Sequence, residues 1–200
     1  MGNIRRCAQT SEGGVSVNEE RLYRMEAEAR GSAWRARVLT GIQRFRFYKG
    51  ELLAPSNRPY VVLSISQDEG SLPDLIETDM GILLIHERVS PIFMNVCPYD
   101  VQLVRVELHT STGKTDRYCA LNVLRRFEIE YLEHSNEFRP LSTDRFYFLS
   151  NQTVRMNLFG HMIAQDVNSQ RLYVTERLKY ALQAKMVTGL AFKQVKEKTA

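Results

Sequence analysis

The side chains best suited to acid–base or metal chemistry are scattered along the chain. The four histidines, His86, His109, His134 and His161, are far apart, and none has the second histidine of an HxxxH pair. The sequence also contains no GxSxG, no Walker phosphate loop and no GxGxxG motif. It therefore predicts no zinc site and lacks the usual signatures of hydrolases, nucleotide triphosphatases and dinucleotide-binding enzymes.

Two local groupings could still do acid–base chemistry. His86 and Glu87 follow a predicted strand, with Cys97 close in sequence. Adjacent strand residues point to opposite faces, so an ion pair between Glu87 and a neighbouring arginine is the simpler expectation. Glu128 and Glu130 are spaced to share one face, which we expect to be solvated, and the same run of carboxylates continues to Glu133 and Glu137. We predict no catalytic residue, no cofactor and no enzymatic activity.

The most acidic stretch lies between Gln67 and Asp79, where Gly70 and Pro73 predict a loop. The spacing of its carboxylates does not fit a calcium-binding loop. A solvated loop is one interpretation, and a docking surface for a basic partner is the other, because opposite potentials steer association. The candidate partner-binding residues are Asp68, Glu69, Asp74, Glu77 and Asp79.

A nucleic-acid interface is the alternative binding site. The chain carries a net charge of +4, and arginines alternate with aromatic residues between Arg35 and Lys49, as in some proteins that bind single strands. The same segment also suits an edge strand or hairpin with Phe45 and Phe47 directed inward. The basic charge is divided between the two ends of the chain, so nucleic-acid binding remains the secondary interpretation.

Length and composition indicate one domain with a substantial core, since the 200 residues are 44% hydrophobic. We expect a loose arm over residues 1–16 and a single domain over residues 17–200. No apolar run approaches the roughly 20 residues of a membrane helix, and no signal peptide is recognisable. We therefore expect no association with a membrane. The three cysteines lack CxxC spacing, which favours a reducing, cytoplasmic location.

The pattern of predicted strands and helices indicates an α+β fold with a mainly antiparallel sheet. Val17–Arg30 suits a helix or a strand equally, and Ser90 with Pro91 begins a predicted helix near 90–97. Residues 160–170 are expected to be connecting structure. The predicted strands are 45–48, 60–66, 81–85, 146–149 and 154–159, together with a hairpin of 100–109 and 118–129.

The most consistent pattern is a strand–helix–strand unit over residues 172–195. Thr175 is the predicted N-cap of its helix, and Gly189 permits the chain to turn out into the last strand. The helix presents one apolar stripe, formed by Leu178, Ala181, Leu182 and Met186.

Several segments, taken in order, resemble a bacterial protein family. They are Leu83–Val89 (LLIHERV), Tyr99–Glu107 (YDVQLVRVE), Ala120–Leu124 (ALNVL), Val174–Lys179 (VTERLK) and Val187–Phe192 (VTGLAF). They are similar to the immunity proteins of polymorphic-toxin loci, a group formerly classed as a domain of unknown function. The resemblance covers residues 81–195; Arg105 stands where that family often has proline, and His86 where it has serine.

The resemblance implies a function without catalysis. Such a protein would protect its producer by binding a cognate toxin stoichiometrically and covering the toxin's active site. The toxin would be delivered by contact-dependent or type VI secretion, and many such toxins are basic nucleases, which makes the acidic segment 68–79 the expected contact surface. The resemblance also implies structural roles for Asn122, between strands, and for Gly189, at the end of the helix. An enzyme that reverses toxin damage is a further alternative.

Overall fold

Strands account for most of the secondary structure of this computed structural model. It describes residues 21–28, 35–40, 44–53, 61–67, 70, 72–130, 138–140, 147–149, 153–154 and 158–197. The helices are α1 (Arg44–Tyr48), α2 (Ser90–Val96) and α3 (Glu176–Ala184). This mixture of many strands and a few helices confirms the predicted α+β class.

The strands are numbered in chain order. They are β1 (Leu22–Ala27), β2 (Arg35–Thr40), β3 (Val61–Ser64), β4 (Leu75–Thr78), β5 (Leu83–His86), β6 (Val101–His109), β7 (Lys114–Thr115), β8 (Tyr118–Val123), β9 (Arg126–Phe127), β10 (Phe138–Pro140), β11 (Tyr147–Leu149), β12 (Thr153–Val154), β13 (Ile163–Asp166), β14 (Leu172–Thr175), β15 (Leu190–Gln194) and β16 (Lys196–Glu197).

Six strands close into a barrel in the order β2-β4-β5-β8-β6-β3, because β3 pairs with both β6 and β2. The β2–β4 and β3–β6 pairs are parallel, and the other four are antiparallel. Small and branched side chains fill the interior. They include Ala36, Leu63, Ile76, Leu84, Val104 and Ala120.

The second layer is a five-stranded sheet in the order β15-β1-β14-β13-β9. Strand β1 lies between β15 and β14 and runs antiparallel to both, so Tyr23 lies opposite Val174 on one side and Gln194 on the other. The predicted strand–helix–strand unit is present as β14, α3 and β15, but its two strands are not adjacent. The chain over α3 crosses above β1.

A second core joins the barrel to this sheet. Leu84 faces the barrel interior, whereas Leu83 and Ile85 on either side of it pack against α2, α3 and the sheet. The strand β5 is therefore buried on both faces, which explains why the sequence there is continuously apolar rather than alternating.

Helix α3 follows the prediction except at its ends. Leu178 and Leu182 are fully buried, and Thr175 occupies the N-cap position. However, its hydroxyl contacts Met162 Sδ at 3.4 Å and caps no backbone N–H. The placement of Met186 in the apolar stripe was wrong, because the helix ends at Ala184 and Met186 is 81% exposed in the left-handed region at φ +48°. That conformation costs a non-glycine residue about 1–2 kcal/mol.

The structure decides three other predictions of local structure. The segment Val17–Arg30, where it is described, forms strand β1, with Tyr23 and Met25 buried on one face. The strand predicted at 45–48 was wrong, since α1 occupies this position and directs Phe47 into the barrel core. The connecting structure predicted at 160–170 was also wrong, because it contains the fully buried strand β13, whose polar Gln165 and Asp166 obscured the pattern.

The predicted hairpin is confirmed by the antiparallel pairing of β6 with β8, in which Val104 lies opposite Ala120. The helix expected near 90–97 is confirmed as α2. The arm predicted over residues 1–16 lies outside the described residues.

Within the described part of the chain, none of the helices is both long and apolar enough to cross a membrane.

Leu182→Ser should destabilise the fold severely, because it leaves a cavity and a hydroxyl in the core between the two layers. We expect a loss of about 3–5 kcal/mol in the free energy of unfolding by urea. Ala184→Ser, on the exposed side of the same helix, is the matched control and should change stability by less than about 0.5 kcal/mol. Equal effects of the two substitutions would contradict the assigned packing of α3.

Candidate functional site

Asp74 is the buried acidic group at which the barrel meets the sheet and helix layer. Its carboxylate accepts hydrogen bonds from the Arg88 guanidinium on both oxygens, and its side chain is only 6% exposed. The backbone N–H and the hydroxyl of Thr188 also donate to Asp74 Oδ2, at 2.7 and 2.8 Å. In return, Asp74 N donates to Thr188 Oγ1 at 3.0 Å. We call these three residues the Asp74 cluster.

Three separate parts of the chain meet in the cluster. Asp74 precedes β4, Arg88 follows β5, and Thr188 precedes β15. Leu75 N donates to Thr188 O at 3.1 Å, and His86 N donates to Asp74 O at 2.7 Å. The Arg88 guanidinium also reaches the carbonyl oxygens of Lys185 and Met186 at the end of α3, at 3.4 and 3.5 Å.

Gly189 makes this close approach possible. A Cβ atom at Gly189 would lie 2.4 Å from Leu75 O and 2.7 Å from Pro73 Cβ, and the residue has φ +76°. Only glycine combines this backbone conformation with such a contact. The prediction that Gly189 ends α3 was wrong, because the helix has its C-cap at Lys185. Gly189 instead brings the start of β15 against β4.

The electrostatics of Asp74 favour its charged form. Burial alone would raise the pKa of this carboxyl, but the hydrogen bonds from Arg88 and Thr188, with the charge of Arg88, outweigh that effect and lower the pKa below its ordinary value of 3.8. Asp74 is therefore an ionised, fully engaged structural carboxylate at neutral pH.

An open, polar groove of about 770 Å³ lies over the cluster. Its basic side chains are matched by nearby carboxylates: Lys114 Nζ lies 2.9 Å from Glu107 Oε1, and Arg117 Nε lies 3.5 Å from Glu87 Oε1. The second pair confirms the ion pair expected for Glu87. The described lining residues are Gly70, Leu72, Asp74, His86, Arg88, Lys114, Thr115, Asp116, Arg117, Tyr118 and Thr188.

The predicted acidic loop is partly a strand, since β4 occupies Leu75–Thr78. Asp74 is buried and cannot present its charge to a partner. Glu77 pairs with Arg35 at 2.8 Å, and Asp79 accepts the Val38 N–H at 3.1 Å. Asp68 and Glu69 lie outside the described residues. The described carboxylates of this segment therefore bond to other parts of the fold, and among them Asp74 alone is buried.

An aspartate–histidine pair at the end of α2 was missed at the sequence level. His161 Nδ1 lies 2.7 Å from Asp100 Oδ1, and Asp100 Oδ2 accepts the Met162 N–H at 2.8 Å. Such a pair can orient a general base. The nearby thiol of Cys97 is an unsuitable nucleophile, because burial, together with the charge of Asp100, raises its pKa to about 12. Asp100 and His161 are 61 positions apart, and no pattern in the sequence indicates that they are in contact.

Glu130 is a second buried carboxylate, and its predicted solvent-facing position was wrong. Tyr173 and Ser169 donate their hydroxyl hydrogens to its Oε1. Burial, and then the bond to Glu130, raise the pKa of the Tyr173 phenol. Glu128 is exposed as predicted, while Glu133 and Glu137 lie outside the described residues. The strand alternation failed because β9 ends at Phe127, before either Glu128 or Glu130.

Asn122 has the structural role implied by the resemblance. Its side-chain amide donates to the carbonyl oxygen of Glu51 at 2.8 Å and to Gln102 Oε1 at 3.2 Å. Gln102 in turn bonds both backbone groups of Leu53. Among the described residues, no group of three or more histidine, cysteine, aspartate or glutamate side chains could hold a metal ion.

Gly189→Ala should destabilise the protein far more than Gly160→Ala. Both glycines have positive φ, but nothing lies within 4 Å of a Cβ placed at Gly160. Gly160→Ala should therefore cost only the backbone penalty of about 1 kcal/mol, whereas Gly189→Ala also forces β15 away from β4 and should cost at least about 3 kcal/mol. Similar urea midpoints for the two variants would show that the close approach is unimportant.

Asp74→Asn should lower stability in a pH-dependent way. Because the pKa of Asp74 is lowered in the folded state, its charge stabilises the fold above the ordinary value of 3.8, and this contribution is lost as the pH falls through the folded pKa. We expect a deficit of about 1–3 kcal/mol at pH 7 that shrinks below about pH 4.

The matched control is Asp116→Asn, in the same groove but exposed. Unfolding by urea at pH 7 and pH 3 measures both variants. A deficit for Asp74→Asn that is equal at the two pH values, or a deficit for Asp116→Asn as large, would contradict the role given to Asp74.

The chain has no match among protein-family models, and none among curated protein sequences.

Proposed function

We propose that this chain is an immunity protein that neutralises a cognate bacterial toxin by stoichiometric binding and occlusion of the toxin's active site. The proposal begins from the resemblance carried by residues 81–195. Its setting would be the cytoplasm of the producing cell, and the toxin would arrive by contact-dependent or type VI secretion.

The observation that carries the proposal is that distant parts of the resemblance contact each other. Arg88 belongs to the LLIHERV segment, and Thr188 with Gly189 belongs to the VTGLAF segment. Both meet at Asp74, and Arg88 reaches Met186 across 98 positions of sequence. Residues that share one structural cluster are expected to recur together, which supports a common fold behind the separate short matches.

Binding is favoured over turnover because three carboxylates of the described residues are engaged in structural bonds. The Asp74 carboxylate is held by Arg88 and Thr188, and the Asp100 carboxylate is held by His161 and Met162 N–H. Glu130 is buried under Tyr173. A general acid or base must reach its substrate, and these groups instead join segments of the fold.

The nucleic-acid alternative gains little from the structure. In the Arg35–Lys49 segment, Arg35 pairs with Glu77 and Arg46 pairs with Glu51 at 3.2 Å. Phe47 lies in the barrel core instead of stacking at the surface. Two of the arginines are thus compensated by carboxylates, whereas phosphate binding needs unmatched positive charge along one groove.

The proposal is tested with the product of the neighbouring reading frame, if that frame encodes a large secreted protein with a variable C-terminal domain. The purified chain is titrated into a fixed amount of that C-terminal domain while the toxin activity is measured. We expect inhibition to end at equal molar amounts and the two proteins to elute together in size-exclusion chromatography.

Two results would contradict the proposal. Complete rescue of poisoned extract at a small fraction of the toxin's molar amount would show turnover and favour an enzyme that reverses the damage. Full toxin activity at a large excess of the chain, without co-elution, would remove the immunity function for this pair.

A further inference from the structure

The exposed large apolar side chains of the described residues are concentrated on one layer of the molecule. Seven such side chains are exposed; two of them lie on the helices α2 and α3, and two more lie two or three residues after the ends of these helices. These four are Met94, Tyr99, Tyr180 and Met186, at 47%, 80%, 56% and 81% exposure. Scattered single residues would need no explanation, but several on one pair of helices indicate a contact surface.

The two helices lie side by side and antiparallel. Their inner side chains, including Phe93 and Leu182, share one core. Arg88, just before α2, bonds the carbonyl oxygens at the end of α3. At the opposite end, Asp100, just after α2, accepts Met162 N–H, and Met162 O accepts the N–H of Thr175 at the start of α3. Their outer sides therefore form a single two-helix face.

The side chains of the two-helix face are of the types that anchor protein interfaces. Tyrosine and methionine are enriched in interface cores, where they supply large contact areas and adaptable packing. Met186 is the most informative, since it is held at φ +48° although glycine would adopt that conformation without strain. The backbone of Met186 closes the end of α3, since Met186 N donates to Gln183 O at 2.9 Å and Val187 N donates to Leu182 O at 3.3 Å. A glycine would provide the same closure, so the large exposed side chain is available for contacts with another molecule.

The charge of the two-helix face is positive. Helix α2 contains no charged residue. On α3, the single acidic residue is Glu176, and its carboxylate accepts hydrogen bonds from Tyr23 and Tyr180. Arg177 and Lys185 are exposed on the same helix. A complementary partner would therefore present an apolar patch with acidic side chains around it.

We infer that the cognate toxin docks on the two-helix face through an acidic-rimmed apolar surface of its own. This inference rests on the proposed immunity function and specifies its contact surface. It also reverses the polarity expected from the acidic segment, since the described carboxylates of that segment are engaged within the barrel. The apolar anchors provide the affinity, and Arg177 and Lys185 steer the approach.

Met186→Gly provides the sharpest test, because it removes the anchor and relieves the backbone strain together. We expect its thermal midpoint to equal or exceed that of the unmodified chain, while its affinity for the catalytically inactivated toxin domain falls at least about tenfold. Tyr180→Ala should weaken binding similarly. The controls are Leu39→Ala and Leu52→Ala, exposed apolar residues elsewhere on the molecule, which should leave affinity unchanged.

Arg177→Glu tests the charge of the partner. We expect this substitution to slow association about tenfold at low ionic strength and to reduce the salt dependence of the association rate. Faster association would mean that the partner surface is basic and would overturn the inferred polarity. Surface plasmon resonance at two salt concentrations measures both rates for all of these variants.

The outcomes separate this inference from the function on which it rests. If the unmodified chain binds and the face variants bind equally well, the two-helix face is not the docking surface, and the immunity function stands. If the controls lose affinity while the face variants keep it, the contact lies on the barrel. If the unmodified chain does not bind the toxin domain at all, the proposed function fails and this inference fails with it.

Discussion

The structure depends on one buried carboxylate that holds three segments of the chain. Asp74 is charged, almost inaccessible, and bonded to Arg88 and Thr188. The Asp74 side chain is 6% exposed and that of Arg88 is 48% exposed, so the attraction between them mainly offsets the cost of removing the carboxylate from water and gives little net stability. Breaking one side of it is costly, however, so the pair strongly disfavours any arrangement that separates its members. Here it selects the one alignment in which β4, the turn after β5 and the start of β15 meet.

That alignment determines how the two layers share their side chains. Leu75 donates its backbone N–H to Thr188 O while its side chain joins the core between barrel and sheet. Its neighbour Ile76 points into the barrel. Because the strand is buried on both faces, a shift of one residue would exchange the two cores. The bonds at Asp74 and the missing Cβ of Gly189 prevent that shift.

Sequence periodicity predicted several of the strands and helices, but it did not predict contacts between residues that are distant in sequence. The hairpin of β6 and β8 followed from alternation, and Leu178 and Leu182 followed from helical spacing. Barrel closure could not be predicted, since it depends on the parallel β2–β4 and β3–β6 pairs, which leave no local signal. Strand β13 was hidden because Asp166, a polar residue, is fully buried and accepts four backbone N–H groups.

The candidate site could be predicted only in part, because its contacts also join residues that are distant in sequence. Counting carboxylates between Gln67 and Asp79 suggested an acidic surface, but Asp74 is satisfied by Thr188, 114 positions away. Arg88, Thr188 and Gly189 did stand out in the resemblance, although their mutual contact was not predicted. The exposed position of Met186 was missed because helical periodicity extends past the point where the backbone leaves the helix. Burial thus separates the residues that hold the fold from those available to a partner.

The central claim is that Asp74 and Arg88 act as one unit in joining the layers. A double-mutant cycle with Asp74→Ala, Arg88→Ala and the double variant, followed by urea unfolding at pH 7, measures it directly. A coupling energy above about 1 kcal/mol is expected, because residues of one buried network are not independent. Additive effects within about 0.5 kcal/mol would contradict the claim and leave the junction of barrel and sheet to apolar packing alone.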